Sequence, residues 1–308
     1  TVSGCRFVAR GQGDGLGGDD GGCVLVQTYR DDVLGYNSNI TGLNITGNTF
    51  EGTPPGEYVA IFINHQGDAV NAGDWVTVQN NTMTGAIYQG AVTERSYTRI
   101  QNNTITRTTA AGGRGVIVMD WDARAQDNVQ VTGNTLSGFE YGLRIGDSAG
   151  TQVLTNVTVN WNDITGNTTG VQVRASADGI ALTNNNISGN TTAGIANTDA
   201  GTTLDATGNW FGAADGPGGQ GPGTGDAVGT DVDYSPWWAA DYSDDQAHAL
   251  TWSWGTDDSI QAAIDAARIE TSSKWLLGGN SPEEGKAWGG IVFVPAGEYR
   301  TTRPLVLH

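Results

Sequence analysis

ITGNTF at 45–50, VQNNTM at 78–83, IQNNTI at 100–105, VTGNTL at 131–136, VNWNDI at 159–164, LTNNNI at 182–187 and ATGNWF at 206–211 are seven copies of one phrase. In each, an apolar residue leads through a short polar stretch to an Asn, one further residue and a second apolar residue. The phrase returns every 22 to 33 residues, which is the period of a solenoid. One copy cannot bury its own apolar face, so each must stack on its neighbours, and the repeat decides the architecture.

A second apolar segment, usually opened by Gly, accompanies the phrase: GCVLVQ at 22–27, YVAIFI at 58–63, GVIVMD at 115–120, GLRIGD at 142–147, GVQVRA at 170–175 and GIANTD at 194–199. Apolar residues alternate within it, as in Val116/Val118, Leu143/Ile145 and Val171/Val173, so one side faces a core and the other faces out. A coil therefore holds at least two short strands. The Asn of the phrase falls at a turn, where its side chain satisfies backbone groups and tolerates left-handed φ/ψ. Stacked at ~4.8 Å per coil, Asn48, Asn81, Asn103, Asn134, Asn162, Asn185 and Asn209 are expected to form a hydrogen-bonded ladder.

Ladder phrase, Gly-opened strand and spacing together resemble the right-handed parallel β-helix of the pectin-lyase superfold. The resemblance covers nearly the whole chain and implies an all-β solenoid. It implies little about activity, because that fold hosts lyases, hydrolases, epimerases, tailspikes and adhesins. GNWFGAADGPGG at 208–219 and DVDYSPWW at 231–238 are similar to the last coil and closure of secreted β-helix proteins. Next, DDSIQAAIDAARIE at 257–270 places Ile260, Ala263, Ile264 and Ala267 at amphipathic-helix spacing, with Asp258 three residues before Gln261 as a capping box. GGIVFVPAGEYRTTRPLVLH at 289–308 reads as two strands. The expected organisation is coils over 1–214, a Gly/Pro- and Trp-rich connector over 215–256, and a short capping α-helix plus strands over 257–308.

In that family the helix-and-strand element opens the solenoid, whereas here it comes last. Thr1 to Phe7 reads as a ladder phrase already in progress, with Cys5 in the Asn slot, so the chain is expected to be permuted. An open solenoid end is a sheet edge that is either capped or polymerised through. The 257–308 element is expected to complete the first coil of its own chain or of a neighbour. The second arrangement propagates head to tail into a filament of copies of the chain. The joint would set Thr1, Val2, Cys5 and Phe7 against Ile291, Phe293, Tyr299, Leu305 and Leu307. Trp237, Trp238, Trp252, Trp254 and Tyr242 of the connector either cover the solenoid side or anchor a neighbour.

The chain has 33 acidic and 15 basic residues, a formal net charge of −18. Such a field disfavours DNA, RNA and anionic membrane surfaces as partners, and no apolar run is long enough to span a membrane. A secreted, extracellular setting is expected, with any signal peptide already removed. Cys5 and Cys23 are expected to close a small loop as a disulfide, with two free thiols as the alternative. Asn39, Asn44, Asn80, Asn102, Asn156, Asn167, Asn186 and Asn190 open Asn-x-Ser/Thr sequons and are candidate glycosylation sites.

Candidate chemistry is sparse. Asp120, Asp147 and Asp199 hold equivalent positions after the strand-opening glycines, with Asp122 and Glu94 nearby and Arg144 and Arg174 alongside. Carboxylates on one outer face are what glycoside hydrolysis requires, and a cationic base beside carboxylates is the lyase logic of the resembling family. The alternative is that they are solvated turn residues. Asp14, Asp19 and Asp20, in GQGDGLGGDDGG, are similar to hard-oxygen calcium ligands, but the nonapeptide repeat of such loops is missing and a surface insertion explains them better. No cofactor is required, and His65, His248 and His308 are too scattered for a metal cluster. The expected function is a secreted structural subunit that assembles through its C-terminal element. The alternative is a polysaccharide-binding or polysaccharide-active protein.

Overall fold

A computed structural model of the chain describes residues 1–10, 22–28, 30–31, 36–37, 40–53, 58–65, 73–109, 112–119, 124–146, 150–241 and 250–251. The repeated phrase folds as expected, into two short strands on either side of its Asn. The strand before the Asn joins a first sheet of nine parallel strands, from Val2–Ser3 through Thr98–Gln101 to Val232–Asp233. The strand after it joins a second sheet of seven, from Arg6–Arg10 to Asn186–Ser188. Gly-opened segments such as Gly22–Thr28, Arg114–Val118 and Tyr141–Ile145 form a third sheet of nine.

Strict register turns the alternation of each strand into columns that run the length of the stack. Ile45, Val78, Ile100, Val131, Val159 and Leu182 form one column of partners in the first sheet. Phe50, Met83, Ile105, Leu136, Ile164 and Ile187 do the same in the second. Ile61, Ala91, Val116, Leu143, Val171 and Ile195 complete the interior from the third, and all three columns are buried. One continuous core results.

The turn between the first and second sheets has a fixed chemistry. The residue before each ladder Asn is left-handed: Gly47, Asn80, Asn102, Gly133, Trp161, Asn184 and Gly208 have φ between 55° and 68°. Gly and Asn suit that region. Trp161 does not, since without the short polar side chain of Asn the Cβ costs roughly 1–2 kcal/mol there.

All seven predicted ladder residues form the ladder. Each Asn Oδ1 accepts the backbone N–H and the Nδ2–H of the Asn one coil earlier, at 2.8–3.0 Å. A second Nδ2 hydrogen goes to a strand carbonyl of the preceding coil, from Asn48 to Val2 O through to Asn209 to Leu182 O, at 2.7–3.0 Å. Cys5 occupies the first slot and contributes only its backbone N–H, 3.0 Å from Asn48 Oδ1.

Two expectations change. The solenoid does not stop at residue 214: Gly225–Val228 and Pro217–Gly219 extend the third sheet, and Val232–Asp233 extends the first. Short glycine-rich strands fit there because they need no alternating apolar pattern beyond Val228 and Val232, which are buried. The predicted disulfide is not formed: the Cys5 thiol is free and exposed, with Sγ donating to Ser3 O at 3.4 Å. Cys5 stands at the turn between the first two sheets, whereas Cys23 lies on strand Gly22–Thr28 of the third. The capping helix and Ile291, Phe293, Tyr299, Leu305 and Leu307 lie outside the described residues.

Because Asn134 both donates and accepts within a buried chain of amides, Asn134→Ala is expected to destabilise the protein by roughly 2–4 kcal/mol. Asn134→Asp should cost more at neutral pH, since its carboxylate would face Ile100 O and Asn162 Oδ1, where Nδ2 now donates. Acid should recover part of that loss by restoring a donor. Urea midpoints at neutral and acid pH check both substitutions.

Candidate functional site

Part of the outer face of the third sheet is buried as well as its inner one. Between the inward Ile61 and Ile63, Phe62 turns outward and joins Val59, Val92, Ile117 and Met119 in an apolar cluster separate from the main core. Register carries this outward column from Phe62 through Val92 and Ile117 to Arg144 and then Gln172. The chemistry therefore changes from hydrocarbon to guanidinium and amide within one step along the axis.

Arg144 is buried, at 4% exposure, and sits in a group of cations. Burial first, then repulsion from Arg114 and Arg174, push its guanidinium down to about 10, with Tyr141 and Tyr88 acting in the opposite direction. It stays charged at neutral pH. Arg114 stands in register with Gln89 on one side and Tyr141 on the other. Its Nη1 donates to Tyr88 Oη at 3.0 Å, and its guanidinium lies 5.4 Å from the Tyr88 ring centroid. Arg174 follows strand Thr169–Val173, its backbone N–H held by Ile145 O at 2.9 Å. Gln89 Nε2, Arg114 Nε and Gln172 Oε1 are buried without hydrogen-bond partners among the described residues. Buried polar atoms are normally satisfied, so three orphans around one cationic group mark a place for a polar ligand or water. Cations, amides and phenols together suit a carboxylate or sulfate ester.

The predicted carboxylates are not brought into this group. Asp120, Asp122 and Asp147 lie outside the described residues, as do Asp14, Asp19 and Asp20. Asp199 has a turn role, its Oδ2 accepting the Ala177 N–H at 2.9 Å. Glu94 is buried. Among the described residues no group of three or more His, Cys, Asp or Glu could hold a metal ion, and no helix is long and apolar enough to cross a membrane. At the proposed joint, Val2 and Phe7 are half-buried, Thr1 and Cys5 exposed, and Phe7 stacks on Phe50 at 4.8 Å between centroids.

The sequons divide by burial. Asn80, Asn102 and Asn156 are exposed and left-handed, and Asn44 is half-buried, while Asn39 lies outside the described residues. Asn167, Asn186 and Asn190 are buried, which corrects the expectation that they are surface acceptors. Asn186 Nδ2 donates to Asp163 Oδ1 at 2.8 Å. Asn167 and Asn190 instead build a second ladder, at the turn between the second and third sheets. Phe139 N–H donates to Asn167 Oδ1 at 3.1 Å, and Asn167 N and Nδ2 donate to Asn190 Oδ1 at 3.0 and 3.1 Å. Asn190 N and Nδ2 both donate to Asp226 Oδ2 at 2.8 Å. Asp226 Oδ1 also accepts the Gly189 N–H at 3.0 Å. The signal was present in sequence, since Gly166-Asn167 and Gly189-Asn190 repeat the Gly-Asn step of Gly47-Asn48 and Gly133-Asn134, with φ of 65° and 68° at the two glycines.

A right-handed β-helix region matches residues 31–211, more than half of the chain. No curated protein and no solved structure matches it. Parallel sheets, columns in register and paired Asn ladders agree with that match, and the chain belongs to the right-handed β-helix family.

Proposed function

We propose that this β-helix binds an extended anionic glycan, with uronate or sulfated residues, along the outer face of its third sheet. The observation that carries the reading is the grouping of Arg114, Arg144 and Arg174 on neighbouring coils, in a chain whose formal charge is −18. Cations repeated along a solenoid at ~4.8 Å per coil suit a linear polyanion. Overall acidity does not oppose this at short range. Exposed charges are screened beyond about 8 Å at physiological ionic strength, whereas partly buried pairs are screened much less. An extracellular setting accords with the acidic composition and the exposed sequons Asn80, Asn102 and Asn156.

A second reading, head-to-tail assembly by strand addition from 289–308 onto the first coil, is favoured by Val8 and Leu25. These two of the four large exposed apolar side chains among the described residues both lie in that coil. Light scattering and negative-stain microscopy of the full chain against one ending at residue 256 test it. Regular filaments lost on truncation support assembly, and a full-length monomer removes it.

For the glycan, native gels containing polygalacturonate should retard the protein, while a fully methyl-esterified polymer should not. Arg114→Gln with Arg174→Gln is expected to weaken retardation about tenfold or more, corresponding to one or two charge-assisted hydrogen bonds. Both side chains are half-exposed, so folding should be retained. Equal retardation of wild type and variant would remove the reading.

A further inference from the structure

The outer face of the second sheet has a regularity that the other two sheets lack. Its strands turn Met83, Ile105 and Leu136 into the core, so the residues on either side of each face outward. Register aligns these in two columns, Thr82, Thr104 and Thr135 in one, Thr84, Thr106 and Ser137 in the other. Thr49 and Thr165 extend one column each. Thr82 and Thr104 are exposed and the other four central residues are half-buried. Charge is met only beyond the central coils. Arg6 pairs with Glu51 at 2.6 Å at one end, and Asp163 accepts from Asn186 at 2.8 Å at the other.

Strand propensity explains a single outward Thr. It acts equally on the first sheet, yet an outward column there reads Thr77, Arg99, Gln130, Thr158 and Ala181. In the third sheet an outward column runs from Phe62 to Arg144 and Gln172. Unbroken hydroxyls in two columns are therefore particular to the second sheet. Coils stack at ~4.8 Å, and alternate residues of one strand stand about 6.6 Å apart. Both repeats lie close to those of the oxygen atoms on the prism face of hexagonal ice. A β-branched Thr is stiff at χ1, so the spacing is held by the side chain as well as the backbone. Each hydroxyl offers one donor and two acceptor sites, as a lattice water needs. The Ser137 hydroxyl donates to Thr106 Oγ1 at 3.2 Å, which leaves acceptor capacity on both. No aromatic ring or ionised group interrupts the central array. We propose that this face binds ice, with the paired Thr columns acting as a template for its surface waters. It lies on a different sheet from the arginine group and stands independently of it.

The test is partition of the full chain into a slowly grown ice hemisphere, with serum albumin as the excluded control. Thr82→Lys, Thr104→Lys and Thr158→Lys are compared with wild type, and each Tm is measured. Thr82 and Thr104 are exposed, so a lysine at either extends into solvent. Wild type should be enriched in the ice. Thr82→Lys and Thr104→Lys should lose that enrichment at least fivefold with unchanged Tm, and Thr158→Lys, on the first sheet, should keep it. Exclusion of wild type to the level of albumin overturns the proposal whatever the variants do. Equal enrichment of wild type and the two array variants overturns it, as does equal loss in Thr158→Lys. Light scattering adds a last check: a dimer that Thr104→Lys dissociates would overturn it, by marking the face as an interface between copies.

Discussion

One amide–amide hydrogen bond, repeated from coil to coil, holds the turn on which the rest of this solenoid depends. A coil must reverse direction between its first and second strands inside a stack where water cannot reach the backbone. Every N–H and C=O at the corner therefore needs a protein partner. Asn answers both demands with one side chain: Oδ1 takes two donors from the coil before, and Nδ2 supplies one donor to that coil and one to the next. Asp accepts only. Ser has too short a side chain and too few donors to reach both neighbours. The constraint is directional, and it forces the corners into alignment, from which the columns of Ile, Val and Leu follow.

Directionality also explains how a ladder ends. In the second ladder the final rung is Asp226, which accepts from Gly189 and Asn190. A carboxylate has nothing to donate onward, so it is suited to a last position and unsuited to a middle one. Burial raises its pKa, an effect only partly offset by the hydrogen bonds from Asn190 and Gly189. In such a case the folded state holds the proton more tightly than the unfolded chain. The contribution of Asp226 to stability is then largest below the ordinary carboxylate range and is lost as pH rises through the raised value. The last rung is thus least favourable at neutral pH, whereas the amide rungs above it do not titrate.

Fold and site differed in how much of each was legible from the residues alone. The first ladder was readable because its Asn is fixed in a short phrase with apolar residues on both sides, a local pattern of six residues. The second carries the same Gly-Asn step but was ambiguous, because Asn167 and Asn190 sit in Asn-x-Thr triplets that equally spell glycosylation sequons, and only burial separates the two meanings. Arg144 and Arg174 could be placed near one another by counting from the strand-opening glycines. Arg114 and Gln89 could not, since they precede those glycines and their proximity depends on register across coils of unequal length. Past residue 214 the strands Gly225–Val228 and Val232–Asp233 are too short and glycine-rich to carry a period of two. There the neighbouring strand, not the local pattern, determines the conformation.

A periodic fold supplies its own comparison set, so the informative residues are those that break a slot's rule. Phe139 takes an Asn slot in the second ladder and offers only its backbone N–H to Asn167, while its buried ring fills the interior beneath Gly115. Packing accounts for that exception. Cys5 takes an Asn slot at the first coil, where it too gives only a backbone N–H, and its side chain is exposed. Trp161 takes the left-handed slot that Gly or Asn fills in the other coils. Its backbone meets the demand of the turn, with N–H to Asn184 O at 2.9 Å, as a glycine would.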